Sequence, residues 1–354
     1  MIRIKLAILE NDTNYINRIV SVFNSRFTDK LEVFTFTDKD AALESLAENR
    51  INVFLSTEQI KIDTKELPDR CAFAYLSESN SIDSIYGEFA LGKYQKAEII
   101  YKSILNLFSD KSSEVIGYKV NDTDAAKIIA FASCSGGVGS STVAASCALS
   151  FALRGHKTLY INLEQLGNAN MFFNGEGSSD FGDVIYAIKS KKTNLSLKIE
   201  STMKTDVRGV YFFDSCKMAL DNMEISKDDV ERLMRELRTS SFEFVIIDCD
   251  FSLGGLPKDI FENVTSVILV SDGSKISNDK LQRSLASMEV LDKQKAIKYM
   301  PKVAIMYNKF SNRTSKQIEG LNFNMLGGIQ KFEGAQTEQI MQQISSMPVF
   351  DKLL

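Results

Sequence analysis

The sequence has little of several residue types and patterns that would indicate particular chemistries. It contains a single histidine, His156, so a histidine-based catalytic mechanism is not expected. Its five cysteines are an odd number without CxxC or cysteine–histidine spacing, which is typical of free thiols in a reducing cytoplasm. No apolar run reaches 18 residues and no signal-peptide pattern is present, so we expect a cytoplasmic protein without direct membrane insertion.

The charge balance and the length limit the partners and the number of domains. Lysine and arginine number 42 against 46 acidic residues, and no dense basic stripe appears, so nucleic acid is not an expected ligand. Residues 333–351 contain no lysine or arginine, which disfavours a basic membrane-binding helix and favours a helix packed on the sheet. A chain of 354 residues favours two domains.

The first hundred residues alternate between strand-like and helix-like patterns. Strands are predicted at residues 5–10, 31–37, 52–56 and 72–77. Strands that alternate with helices predict a parallel sheet covered on both faces. A polar, turn-rich linker at 111–125 is predicted to separate a first domain, residues 1–110, from a second, 126–354. The predicted fold class is α/β, with two doubly wound domains.

The second domain begins with a glycine-rich turn, here called the glycine loop (residues 133–142). Residues 128–132 before it are apolar or small, and a helix of small residues is predicted after it over 143–153. A strand, a glycine turn and a helix N-terminus in this order bring backbone N–H groups and the positive end of the helix dipole to one point, which suits a phosphate chain. An ordinary strand-to-helix turn is the alternative interpretation.

Three later strands also end in polar side chains. The apolar run 242–247 ends in Asp248, the form of a strand that holds Mg²⁺. Glu164 follows the predicted strand 158–163, and Asn308 ends the predicted strand 302–307. The carboxyl ends of parallel strands share one edge, so we expect these side chains near the glycine loop. A plain polar loop at Glu164 and a turn residue at Asn308 are the alternatives.

The glycine loop resembles the deviant Walker A loop of the MinD/ParA superfamily, Lys-Gly-Gly-x-Gly-Lys-Thr/Ser-Thr. Ser135 and Ser140 stand at its two lysine positions, so both cations that would neutralise a triphosphate are missing. Residues 162–169 resemble the superfamily motif Asp-x-Asp-x-x-Gly-Asn, with Asn162 and Glu164 at the aspartate positions. The resemblance implies that ATP and Mg²⁺ bind and that hydrolysis is slow or absent.

The same resemblance implies the roles of the site residues. Contacts to the nucleotide are expected from Ser135, Gly136, Gly137, Val138, Gly139, Ser140, Ser141, Thr142 and Asn308. Ser141 and Asp248 are expected to hold Mg²⁺, and Glu164 and Asp248 are the catalytic candidates. The amide of Asn308 is expected to read the adenine edge.

The first domain resembles the receiver domain of response regulators. Glu10-Asn11-Asp12 stands at the metal-binding acidic positions, and Ser77 and Lys93 stand at the hydroxyl and lysine positions. The third predicted strand runs into Ser56-Thr57-Glu58, without the phosphoacceptor aspartate, so an acyl phosphate cannot form. We predict a pseudo-receiver used for protein contacts. A flavodoxin-like domain with no ancestry in signalling is the alternative.

The combination of the two domains resembles the TadZ/CpaE family, which positions the assembly machinery of tight-adherence (Flp-type) pili. The resemblance implies a nucleotide-dependent homodimer that partners recruit to a site at the inner membrane, such as a cell pole. The implied partners are the pilus secretion ATPase and inner-membrane pilus assembly proteins. Two other functions stay open: an active MinD/ParA-like ATPase that cycles on DNA or membrane, and a regulator with a dead nucleotide site.

Overall fold

The protein is represented by a computed structural model that describes residues 3–111, 125–191, 194–294, 298–318 and 323–354. In chain order the strands are β1 (Ile4–Leu9), β2 (Leu31–Phe36), β3 (Val53–Thr57), β4 (Ala72–Ser77), β5 (Ser84–Ile85), β6 (Glu88–Gly92), β7 (Lys127–Ala132), β8 (Thr158–Asn162), β9 (Lys204–Thr205), β10 (Tyr211–Phe212), β11 (Phe244–Asp248), β12 (Ser266–Ser271), β13 (Val303–Phe310) and β14 (Asn324–Gln330). The helices are α1 (Thr13–Arg26), α2 (Lys39–Glu48), α3 (Ala97–Lys111), α4 (Ser140–Leu153), α5 (Phe181–Lys189), α6 (Leu195–Thr202), α7 (Leu220–Met223), α8 (Lys227–Arg238), α9 (Gly255–Asn263), α10 (Lys275–Gln294) and α11 (Thr337–Ser345).

These elements form two compact units. The first contains residues 3–111, 190–191 and 194–202. The second contains residues 125–189, 203–294, 298–318 and 323–354. The predicted domain boundaries stay predictions, and the predicted linker lies outside the described residues except at its two ends.

The first unit is built on a six-stranded sheet in the order β2-β1-β3-β4-β6-β5. Its strands pair in parallel, except that β5 joins β6 as an antiparallel hairpin. Tyr86 and Gly87 at the hairpin turn have φ angles of 52° and 87°, the type I′ geometry that matches the twist of the strands. The hairpin escaped prediction because β5 has two residues, too few for a period-2 pattern.

Apolar side chains cover both faces of this sheet. Leu6 and Ile8 of β1 point into a core shared with α1 and α3, whereas Ala7 and Leu9 point into a core shared with α2. This alternation is what a parallel sheet buried on both faces requires. The predicted parallel sheet with helices on both sides is confirmed for the first unit.

Helix α6 packs against α3 in the first unit, although it directly follows α5 of the second unit in the chain. Leu197 is 3% exposed and belongs to the same core as Ile104 and Phe108. Lys198 Nζ also donates a hydrogen bond to Asn106 Oδ1 at 2.5 Å. Hydrophobic periodicity does not say which surface a helix packs against, so this attachment could not be read from the sequence.

The second unit is built on an eight-stranded sheet in the order β14-β13-β12-β7-β11-β8-β10-β9. Its strands pair in parallel except β9 with β10. The central strand β7 is followed in the chain by β8 on one side, while β12 and β13 lie on its other side. The strand order therefore changes direction at β7, and ligands of open α/β sheets bind at the carboxyl ends beside such a point.

Helix α4 lies against the centre of the second sheet, where it packs on β7, β8 and β11. Its side chains from Val143 to Phe151 are all buried, and most are small, which allows close packing against the strands. Met341 and Ile344 of α11 join the same core through contact with α4. The C-terminal apolar stripe was predicted to pack on the sheet; it packs instead against α4, the helix that covers the centre of the sheet.

Most predicted elements agree with the structure to within a few residues. The predicted strand 302–307 is longer in the structure, where β13 runs to Phe310. Among the described residues, no helix combines the length and the apolar composition that crossing a membrane requires. The two parallel sheets confirm the predicted α/β class.

The packing of α6 can be tested with Leu197→Ala. Removing this buried side chain leaves a cavity in the core of the first unit, so we expect a loss of about 2–4 kcal/mol in the free energy of unfolding. Urea unfolding followed by circular dichroism measures it. Leu153→Ala is the matched control, because Leu153 is mostly exposed and should change stability by less than about 0.5 kcal/mol. Equal effects of the two substitutions would contradict the packing.

Candidate functional site

The glycine loop connects the carboxyl end of β7 to the first turn of α4, and its carbonyls are held by side chains. The bonded carbonyls are those of Ser135, Gly137 and Val138; the atoms that contact them are Ser133 Oγ, Lys309 Nζ and Asn308 Nδ2, each at 2.8 Å. The backbone N–H groups of Gly136–Gly139 donate to no atom of the described residues. The loop is thus fixed through its carbonyls, which leaves its amides available to a ligand.

The start of α4 continues this row of amides. Its N-cap residue is Gly139, with φ of 86°, and no side chain caps the first turn. The first N–H groups of a helix have no partner within the helix and carry the positive end of its dipole. Together with the loop amides they form the kind of concave donor surface that binds phosphate groups.

Gly139 is required here for two reasons. Its φ angle lies in the left-handed region that other residues rarely adopt. A Cβ atom at this position would lie 2.6 Å from Asn308 Nδ2, closer than atoms in contact allow. The loop and the end of β13 therefore approach each other through a site that accepts only glycine.

Asp248 ends β11 beside Asn162 of β8 in the register of the sheet. Its side chain is fully buried, and Oδ2 accepts hydrogen bonds from Tyr160 Oη and Asn162 Nδ2, both at 3.0 Å. Oδ1 has no hydrogen-bond partner. Burial and the charge of Glu164 raise the pKa of Asp248 well above its usual range, although the hydroxyls of Tyr160 and Ser141 oppose the rise. A buried carboxylate oxygen without a partner is costly unless a ligand completes it.

Glu164 lies at the same edge of the sheet, two residues after β8. Its backbone N–H donates to Asn162 Oδ1 at 3.1 Å. Burial raises the pKa of Glu164; a hydrogen bond with Ser141 opposes this, and the charge of Asp250 adds to it. Ser141 is therefore near both carboxylates, Glu164 and Asp248. This position suits its predicted role as a magnesium ligand.

The hydroxyls of the two serines at the lysine positions of the superfamily motif have no hydrogen-bond partners within the described residues. Ser135 Oγ and Ser140 Oγ are both buried and form no hydrogen bond within the described residues. A lysine at either position would carry its charge into the loop. Here each hydroxyl is a short neutral group that a ligand could complete.

The structure brings the predicted site residues to one edge of the second sheet. The loop residues Ser135–Thr142 join β7 to α4, Glu164 and Asp248 face Ser141, and Asn308 bonds the loop. Asn308 is 3% exposed and its amide nitrogen is used on Val138 O, so its predicted adenine contact stays a prediction. The predicted nucleotide, magnesium and catalytic roles likewise stay predictions.

Sequence reasoning missed two residues of this site. Tyr160 is fully buried and bonds Asp248, but a tyrosine inside an apolar strand looks like any core residue. Lys309 contacts the loop from the end of β13, far away in the chain. The signal for Lys309 was its place directly after the polar strand-end residue Asn308.

The receiver-like site of the first unit is filled by an ion-paired lysine. Lys93 is 3% exposed, and its Nζ lies 2.6 Å from Glu10 Oε2 and 2.6 Å from Glu78 Oε1. Burial lowers the pKa of Lys93, but hydrogen bonds to both glutamates outweigh this and leave it above its ordinary value. β3 ends in Ser56 and Thr57, which are both buried, and the next residue is Glu58, so no aspartate stands at this strand end. Lys93 thus offsets part of the negative charge of this acidic site from within the chain.

Two models of known protein families match parts of the chain. Residues 2–109 match the model described as a TadZ-like receiver domain, and residues 126–300 match the model described as an AAA domain. The chain therefore contains a TadZ-like receiver domain and an AAA domain. A search of curated protein sequences finds no match.

Solved structures similar to the chain include ParA and MinD proteins. A ParA family ATPase from Chlorobium tepidum has a TM-score of 0.50 and 19% identity, and the match covers 64% of this chain and 93% of that one. A plasmid partition protein from Borrelia burgdorferi has 0.47 and 19%, with 65% and 100% covered. The septum site-determining protein MinD from Pyrococcus horikoshii, complexed with Mg-ADP, has 0.48 and 14%, with 62% and 94% covered. The likeness to the ParA family ATPase is one of fold, and it agrees with the predicted fold class.

The ion pairs of the receiver-like site can be tested with Lys93→Met. This change leaves Glu10 buried without a counter-charge, so we expect a loss of about 3–5 kcal/mol in the free energy of unfolding. Glu78→Gln is the control, because Glu78 is about half exposed and should cost at most about 1 kcal/mol. Chemical unfolding at neutral pH measures both. If Lys93→Met cost no more than Glu78→Gln, the buried pair would not hold this site.

Proposed function

We propose that the protein is an ATP-binding localisation and assembly factor for tight-adherence pili, and that ATP·Mg²⁺ acts mainly as a structural cofactor. The observation that carries the proposal is the glycine loop: side chains bond its carbonyls, and its amides and the uncapped start of α4 are available. That arrangement suits the oxygens of a phosphate chain. The TadZ-like receiver domain supports the pilus context.

The residues present fit a nucleotide-bound magnesium ion. Asp248 Oδ1 is buried without a partner, and Ser141 lies beside both Asp248 and Glu164. Among the described residues no group of three histidine, cysteine or acidic side chains is arranged to hold a metal ion. Mg²⁺ at phosphates commonly takes one or two protein ligands and completes its shell with phosphate oxygens and water. Ser141 and Asp248 would hold the ion, and the ion would neutralise phosphate charge.

Slow hydrolysis follows from the charge of the loop. Phosphoryl transfer depends mostly on stabilising the charge that spreads over the transferred group. Ser135 and Ser140 offer hydroxyls where superfamily members offer lysines. Glu164 remains as a carboxylate that could orient water, which is the observation in favour of an active ATPase. We infer that binding is retained and that turnover is low.

A homodimer is supported by exposed apolar side chains beside the site. Leu166 is 78% exposed and Met171, Met218 and Leu220 are each at least 60% exposed. They lie on two segments, 164–171 and 215–223, that are bonded to each other through Ser215 Oγ and Ala169 N at 2.8 Å. Clustered exposed apolar groups, methionine among them, are typical of protein interfaces.

The family resemblance extends the proposal to partners and place. The pilus secretion ATPase and inner-membrane pilus assembly proteins would recruit the dimer to a site such as a cell pole. The pseudo-receiver would serve as a binding surface, since its acidic site is occupied by Lys93 and lacks a phosphoacceptor.

Nucleotide binding can be tested by calorimetry with Gly139→Ala. The wild-type protein should bind ATP·Mg²⁺, and the variant should bind at least about tenfold more weakly, because the added Cβ displaces Asn308 and opposes the loop conformation. Gly155→Ala is the matched control: its φ is similar, 89°, but nothing lies within 4 Å of the added atom. It should keep ATP affinity. Phosphate release by the wild type should stay well below about 1 s⁻¹. Absence of ATP binding to the wild type would refute the proposal.

Dimerisation can be tested by sedimentation velocity with and without ATP·Mg²⁺. We expect a species of twice the mass that forms only with nucleotide and is lost in the double variant Leu166→Glu/Met218→Glu, because buried charges oppose an apolar contact. Val207→Glu is the control, since Val207 is fully exposed between β9 and β10 at the far edge of the sheet. A monomer under all conditions would contradict the proposed dimer.

A further inference from the structure

We propose that Lys309 supplies the positive charge to the nucleotide phosphates that Ser135 and Ser140 cannot supply. The inference rests on the proposed function and adds a binding residue that lies outside the glycine loop. Lys309 Nζ donates to Gly137 O at 2.8 Å, so its ammonium group already lies at the loop.

The backbone of β13 is shaped to bring this lysine there. Tyr307 pairs with Gly328 and Phe310 pairs with Gln330, so Asn308 and Lys309 together oppose a single residue of β14. This is a β-bulge, a feature that redirects side chains and is frequent next to active sites. In a regular strand two successive side chains point to opposite faces. At this bulge both bond adjacent carbonyls of the same loop, those of Val138 and Gly137.

The bulge has a conformational cost at Lys309. Its φ angle is 53°, in the left-handed region that lysine rarely adopts. A residue held in such a conformation is commonly found where function requires a particular side-chain direction. The same conformation places the aliphatic part of Lys309 against the loop, since a Cβ at Gly139 would lie 3.4 Å from Lys309 Cε.

Holding the loop does not by itself require a charge. Asn308 holds the neighbouring carbonyl with a neutral amide. An ammonium group has three donors, and Lys309 uses one of them on Gly137 O, while its side chain is exposed at the surface. The remaining donors can reach a phosphate that binds to the loop amides.

The negative charge of the site favours a cation beside the nucleotide phosphates. Glu164, Asp248 and Asp250 place three acidic side chains at this edge of the sheet, and Asp250 Oδ2 accepts a hydrogen bond from the N–H of Gln165, the residue after Glu164. A triphosphate brings several further negative charges, and the loop itself contains no lysine or arginine. Like charges at short range disfavour binding unless cations offset them. Mg²⁺ would offset part of this repulsion, and Lys309 would offset a further part from the opposite end of the loop.

The test measures the affinities of full-length protein for ATP, ADP and AMP with Mg²⁺ by calorimetry. Lys309→Gln keeps a donor for Gly137 O but removes the charge, so ATP should bind at least about tenfold more weakly while AMP changes less than about threefold. Lys309→Arg should retain most of the ATP affinity. Adding Ser140→Lys to Lys309→Gln should restore it, because this returns a cation to the second lysine position of the loop.

A matched control separates a local effect from a change in net charge. Lys227→Gln removes the same charge from the exposed face of α8, where Lys227 Nζ lies 3.6 Å from Glu231 Oε1. It should leave all three affinities unchanged. Melting temperatures without nucleotide verify that each variant is folded. Equal ATP affinity of Lys309→Gln and the wild type would overturn the inference, as would an equal loss for ATP and AMP, which would make Lys309 a loop clamp alone. Failure of the wild type to bind ATP would instead refute the proposed function, and this inference with it.

Discussion

The second domain depends on how the backbone polar groups of the glycine loop are divided. A buried or crowded backbone must satisfy its carbonyls and its N–H groups, and a phosphate-binding loop must leave the N–H groups for the ligand. Here side chains from three places take the carbonyls: Ser133 within the loop, and Asn308 and Lys309 from β13. The glycines provide the φ angles that turn the amides to one side. The loop can therefore keep its shape without a lysine of its own.

Because other side chains bond the carbonyls of the loop, serine at both lysine positions is compatible with the fold. A lysine in such a loop mainly interacts with phosphate, so its replacement by serine removes charge from the ligand site without removing a bond that shapes the backbone. Ser135 Oγ and Ser140 Oγ are buried and form no hydrogen bond within the described residues, so neither hydroxyl shapes the loop. The structural contacts of the loop come from elsewhere and remain intact.

Sequence patterns predicted the parts of the molecule that depend on local periodicity. The strands β1–β4, the order of strand, glycine loop and α4, and Asp248 at the end of β11 all follow from apolar runs and their polar ends. Contacts between distant segments could not be predicted in this way. Tyr160 bonds Asp248 from inside an apolar strand, Lys309 reaches the loop through a bulge, and α6 packs with the first unit. Each depends on register or on a tertiary partner, and neither leaves a periodic signal.

The two domains treat their acidic sites in opposite ways. In the receiver-like domain Lys93 lies between Glu10 and Glu78, so the chain itself supplies a cation to this site. In the P-loop domain Asp248 has neutral partners, Tyr160 and Asn162, and one of its oxygens has none. A site that already contains a cation has less to gain from a metal ion than a site with an unpaired buried carboxylate oxygen, which a ligand completes. Any ligand-driven change in this protein is therefore expected to begin at the second site, with the first domain as a constant surface.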